Sequence, residues 1–207
     1  MSSSSQVFWK SPDPESPLRA ALAGANTQLQ ELASQQWDPK TATIDGIRDV
    51  QLCSLASAPN AWSSLLLHLN SRLADQLAVT LSTTTDVPVI GFYEFDQLAW
   101  GFSVHERGHS IAQFWNRPEV LEEDPYRCRV DPNLIAGLFG VGVEAVSPYL
   151  NHLAPDSDEA GKAFPEDEFS LGDHWVRCDF MRRLGLRYPN PGETGTRYVF
   201  IKERRVN

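Results

Sequence analysis

Three short runs decide the fold: Val87-Pro-Val-Ile-Gly-Phe-Tyr-Glu-Phe95, Leu98-Ala-Trp-Gly-Phe-Ser-Val-His105 and His109-Ser-Ile-Ala-Gln-Phe-Trp115. In the first, Val87, Val89, Gly91, Tyr93 and Phe95 alternate against Ile90, Phe92 and Glu94, so both faces are largely apolar and the strand belongs inside a sheet. In the second, Trp100, Phe102 and Val104 alternate with Gly101, Ser103 and His105, which is strand periodicity. Asp96-Gln97 supplies one turn. Glu106-Arg107-Gly108-His109 supplies the other, with Gly108 providing the positive φ that tight hairpins need. The reading is an antiparallel meander of 87–95, 98–105 and 109–115. Leu77-Ala-Val-Thr-Leu-Ser82, rich in strand formers, extends it to about residues 77–115.

Outward from this meander the pattern turns helical. Residues 1–15, with four serines and Ser11-Pro-Asp-Pro14, are expected to be a flexible lead. Ser16-Pro17 opens a helix to about Gln36, carried by Leu18, Leu22, Ala25, Leu29 and Leu32 and closed before Asp38-Pro39. Ile44 to Leu55 supplies a strand. Asn60 caps a second helix through Leu73, with Trp62, Leu65, Leu66 and Leu69 on one face. On the C-terminal side, Asp131-Pro132 opens a short helix, Asn133 to Phe139, that Gly140 ends. A further helix is expected from Val143 to Leu153, then an acidic loop over 154–168. Asp173 caps the next helix, with Trp175, Val176, Phe180 and Leu184 buried and Gly185 as its stop. Arg197 to Lys202 reads as a last strand. The fold class is α+β, an antiparallel meander packed against several helices, with 16–207 as a single compact domain.

The formal charge is -9 and the isoelectric point about 5.0. That balance disfavours contact with phosphate backbones or anionic membranes and suits a basic protein partner. Cys53, Cys128 and Cys178 are far apart and odd in number, which reads as three thiols in a reducing compartment. No basic-then-apolar leader opens the chain, and no apolar run approaches the ~18 residues of a membrane span. A cytoplasmic location is expected.

His105-Glu106-Arg107-Gly108-His109 matches H-E-x-x-H. On a helix, His105 and His109 would share a face and bind one zinc, with Glu106 as general base. The string Val104 to Ile111 resembles the active-site helix of zinc metallopeptidases over about a dozen residues. That resemblance implies a zinc-dependent peptidase, with His105 and His109 as ligands and Glu106 as the base. Arg107 stands where that helix carries an apolar residue, and Ala112 and Trp115 replace the glycine and third histidine of the extended motif. In the hairpin reading the same histidines flank a turn, their rings need not converge, and no catalytic or metal residue is assigned.

Other constellations read as structural. Asp156 to Asp167 partly mimics a calcium loop, with Ala160 at a ligand position and no final Glu. Glu122-Glu123-Asp124 reads as a solvated turn, and His68, His152 and His174 stand alone. Gly137, Gly140 and Gly142 surround a helix end, a weak phosphate cradle. Trp9, Trp37 and Trp62 are candidates for exposure. Phe92, Phe95, Trp100, Phe102, Ile111, Phe114, Leu138, Trp175 and Phe180 are the expected core. In size, acidity and aromatic content the chain resembles bacterial immunity proteins. The functional expectation is a non-enzymatic acidic binding protein, its partner another protein, with the zinc peptidase as the alternative.

Overall fold

Strands apolar on both faces leave two surfaces to cover, and the chain covers both. The computed structural model describes residues 4–11, 13, 15–24, 27–31, 50–57, 62–67, 71–154, 160–188 and 196–203. In chain order they form β1 (Ser5–Lys10), α1 (Glu15–Gly24), β2 (Thr27–Glu31), β3 (Val50–Ser57), β4 (Trp62–Leu67), α2 (Ser71–Thr85), β5 (Val89–Phe95), β6 (Ala99–Glu106), β7 (His109–Trp115), α3 (Pro132–Phe139), α4 (Val176–Arg183) and β8 (Thr196–Glu203). Short 3-10 turns occupy Pro118–Leu121, Val143–Ala145 and Ser147–Leu150. The strands make one sheet in the order β2-β8-β3-β4-β1-β5-β6-β7, and every pairing is antiparallel.

Alternation sorts the side chains into two cores. Val7, Trp9, Leu65, Leu67, Val89 and Tyr93 meet Leu18 and Leu22 of α1 and Ala74, Leu77, Ala78 and Leu81 of α2. On the opposite face Phe8, Ile90, Phe92, Trp100, Phe102, Val104 and Phe114 meet Ile135, Val146, Tyr149, Val176, Phe180 and Met181. The Phe180 ring is the hub there, 5.3–6.1 Å from the rings of Tyr149, Phe102, Trp100 and Phe92. The result is a compact α+β arrangement of helices, sheet, and a second helical layer.

The meander of β5, β6 and β7 is the one expected from residue 87 onward, but Leu77 to Ser82 lies in α2 rather than in a strand. Ala74, Leu77, Ala78 and Leu81 are a buried stripe of helical period. Thr80, the one threonine in that run, is accommodated by helical back-bonding, its Oγ1 donating to Gln76 O at 2.8 Å, as do the threonines that follow, Thr83 to Val79 O at 3.1 Å, Thr84 to Thr80 O at 2.8 Å and Thr85 to Leu81 O at 2.6 Å.

The N-terminal expectations need the most correction. Residues 5–10 of the supposed flexible lead form β1, at the middle of the sheet, because Val7 and Trp9 fill one core and Phe8 the other. Trp9, a candidate for exposure, is fully buried. The first helix ends at Gly24, well short of Gln36, and Thr27–Glu31 is a strand. Its N-terminus is held by Asp13, whose carboxylate accepts from the Glu15 N–H at 3.0 Å and from the Ser16 hydroxyl. Trp62–Leu67 is a strand, since three consecutive leucines are all buried rather than one per turn. Asn60, Trp37 and His68 lie outside the described residues.

Later elements fit more closely. Asp131 Oδ1 accepts from the Asn133 N–H at 2.9 Å and Gly140 ends α3 at φ 68°. Asp173 accepts from the Trp175 N–H at 2.7 Å just ahead of α4, and Gly185 follows it with φ 69°. Val143 to Leu153 is not one helix: Pro148 lacks an N–H, and the stretch closes as two 3-10 turns. Phe92, Trp100, Phe102, Phe114 and Phe180 are buried as expected and Leu138 partly so. Phe95, Ile111 and Trp175 are 36–38% exposed, at a strand end, an edge strand and a helix entry.

Candidate functional site

The H-E-x-x-H string is a hairpin. Arg107 and Gly108, at φ 50° and 80°, make the two-residue turn, and Glu106 pairs with His109 across it. Paired residues share a face and neighbours alternate, so Glu106 and His109 lie on one side and His105 on the other. The shared helical face that a zinc pair at this spacing requires is therefore not formed. The turn is pinned to the end of α2, because the Gly108 N–H donates to Ser82 Oγ at 2.9 Å and Arg107 Nε stands 2.7 Å from Asp86 Oδ1.

His105 is not the exposed turn residue the sequence implies. It is 4% exposed, between β6 and α2, in a chain of polar groups. His105 Nε2 is 2.9 Å from Ser103 Oγ and 3.5 Å from Asp75 Oδ1. The Tyr93 hydroxyl is 2.9 Å from Ser103 Oγ and donates to Asp75 Oδ1 at 3.2 Å. The hydrogen bond from His105 holds the Asp75 carboxyl below the usual carboxylate range. Burial pushes the Tyr93 hydroxyl well above its ordinary value. Serine, histidine and aspartate meet here, but not as a nucleophile relay. Ser103 and Asp75 both address Nε2, while Nδ1 has no partner among the described residues; in a working triad the carboxylate takes the second nitrogen. Sequence reading missed Asp75, Tyr93 and Ser103; only the i, i+2 spacing of Ser103 and His105 hinted at a shared face.

A second constellation lies on the other face. Glu94, 8% exposed, accepts from Arg177 Nη2 at 2.7 Å and from Ser4 Oγ at 2.8 Å. His174 Nε2 is 3.8 Å from Glu94 Oε1, and burial lowers the His174 pKa. The Arg177 guanidinium lies 4.7 Å over the Trp175 ring. The group ties α4 to β5, and its charges are spent on one another.

The third is a surface shoulder. Glu119, Glu122, Glu123 and Asp124 are exposed, beside Tyr126 at 81% exposure. Arg129 lies 5.5 Å over the Tyr126 ring. Cys128 is buried beneath; burial, and then the charges of Glu123, Asp124 and Glu119, push its thiol up. An open groove of about 730 Å³ adjoins it, lined by Arg129, Pro132, Ser147, Asn151 and His152 among others.

The remaining candidates that lie among the described residues resolve as structure. Asp156 and Asp158 lie outside the described residues. Asp167 is buried with its oxygens occupied by the Tyr149 hydroxyl at 2.6 Å, the Phe164 N–H at 3.1 Å and Arg183 at 2.8 Å. The space a Cβ at Gly142 would need is held by the Glu144 carboxylate, which would repel a phosphate. Among the described residues no group of three or more His, Cys, Asp or Glu is placed to hold a metal ion, and no helix is long and apolar enough to cross a membrane. Comparison with known proteins finds no matching family, no matching curated protein and no matching solved structure.

Proposed function

We propose that this chain is a non-enzymatic acidic protein of the cytoplasm that binds another, basic protein, as an immunity protein binds its toxin. One observation carries the reading: the shoulder at 119–126 sets Glu119, Glu122 and Glu123, without ion partners among the described residues, around a projecting aromatic ring, with Asp124 alone near a cation, 3.8 Å from Arg127 Nε. Several surface acids elsewhere are paired, Asp86 with Arg107, Glu166 with Arg183 and Glu168 with Arg182. Glu119, Glu122 and Glu123 have no such cation among the described residues. On a chain of charge -9, unpaired carboxylates steer a basic partner in, and a tyrosine offers a large, stiff anchor.

The test is in-cell crosslinking of the tagged chain, with the triple reversal Glu119→Lys, Glu122→Lys, Glu123→Lys as the comparison. The expected result is a basic partner whose crosslinks map to 119–126 and whose recovery falls at least tenfold in the reversal. Partners that are acidic, or recovery that the reversal leaves unchanged, would overturn the proposal.

A further inference from the structure

The sheet ends at β7, and nothing among the described residues pairs with its outer edge. Asn116 N–H donates to Trp100 O at 3.0 Å, and Trp100 N–H donates to Asn116 Oδ1 at 2.8 Å. That pair exchanges bonds, so by antiparallel alternation Phe114 and Ala112 bond to Phe102 and Val104, and the N–H and C=O of Gln113 point away from β6. Leu153 N–H closes on Asn116 O at 2.8 Å, which leaves His109–Gln113 as the open length. His109, Ser110, Ile111 and Gln113 are exposed there.

Edge strands are ordinarily guarded by lysine, proline, inward charges or bulges. His109–Trp115 contains no Lys, Arg, Asp, Glu or Pro, and its one guard is the register shift opposite Val104/His105. In sequence, exposed carboxylates flank the ledge, Glu106 just before the hairpin turn and Glu119 shortly after Trp115. Arg107 does not offset them, because it is engaged by Asp86.

We propose that the outer edge of β7 is a docking ledge that takes an extended, Lys- or Arg-bearing segment of the partner as an added strand. The proposal rests on the reading of a basic partner given above. Backbone bonds to the ledge supply attachment, and the basic side chains answer Glu106 and Glu119.

The probe is a synthetic nine-residue peptide of alternating lysine and valine, titrated into the full chain with amide hydrogen exchange as the readout. Exchange at the outward-facing amide of Gln113 should slow at least tenfold at saturation. Gln113→Pro removes an outward N–H and no bond to β6, so it should weaken binding at least tenfold while Gln113→Thr does not. If the proline variant misfolds by circular dichroism, the same peptide N-methylated at alternate residues replaces it, and should give no protection. Peptide binding that protects 119–126 instead, or that ignores the proline and the N-methyl groups, overturns the ledge and leaves the acidic shoulder standing. Equal protection by a serine–valine peptide overturns the basic occupant and the basic-partner reading together. Protection of the same amide by self-association, without peptide and not competed by it, makes the occupant a second copy and overturns the proposal.

Discussion

Arg177 Nη2 stands 2.7 Å from Glu94 Oε2, with the two side chains 1% and 8% exposed. One charge comes from α4, the other from the central strand β5, so the pair clamps the C-terminal layer to the sheet. Replacing Arg177 by Met strands a buried carboxylate, which costs on the order of 3–5 kcal/mol. Adding Glu94→Gln should restore part of that. Urea titrations at pH 7 give both numbers; a single-variant loss under about 1 kcal/mol would show that the pair is solvated.

Two glycines, Gly101 and Gly108, should matter more than the exposed His109 that follows them. A Cβ at Gly101 would run into the Phe114 carbonyl oxygen and the Trp115 ring, so Gly101→Ala should cost about 1–3 kcal/mol by overpacking. Gly108 has φ 80° and a Cβ there would sit 2.7 Å from Thr83 Oγ1; Gly108→Val should cost at least ~1–2 kcal/mol. His109→Ala, at an exposed site, should stay within about 0.5 kcal/mol. Thermal melts rank the three, and His109→Ala as the most damaging would contradict the hairpin packing.

The Asp75 carboxyl is lowered by its hydrogen bond from His105. The folded chain therefore prefers the ionised form more than the unfolded chain does. That contribution is complete above the ordinary carboxylate pKa and fades as pH falls through the lowered folded value. The stability gap between the protein and its Asp75→Asn variant should be constant from pH 7 to pH 5 and shrink toward pH 3. Because Asp75 is more than half exposed, the gap is small. A gap that widens on acidification would reverse the assignment.

Thiol chemistry offers a fourth check. Cys128 is fully buried, and burial pushes the Cys178 thiol up to about 11. In a Cys53→Ser variant, no thiol should react with a disulfide reagent within minutes at pH 8 in the folded state, and two should react in urea. Fast modification of folded protein would place one of them at an activated, accessible position.

The sequence revealed most where the determinants are local. The meander was legible because turns fall where Asp96-Gln97 and Gly108 marked them, with Gly108 at the positive φ expected of it, between strands of period two. The α3 helix was legible because Asp131 and Gly140 sit next to the ends they cap. The strand at Ser5–Lys10 was hidden by serine and proline on either side, and α2 by threonines whose hydroxyls bond backward. The polar chain through Asp75, Tyr93, Ser103 and His105 joins a helix to two strands, and no local pattern encodes which helix packs there. For the same reason His105 read as a surface residue.

The position of β8 between β2 and β3 sets an order on biosynthesis. Both neighbours emerge from the ribosome long before Thr196–Glu203 exists, and β2 has no other partner in the sheet among the described residues. Until that segment is made, two strands offer bare edges to any passing chain. Nascent protein should therefore engage chaperones over this interval, and premature termination upstream of Thr196 should yield aggregation rather than a shortened fold.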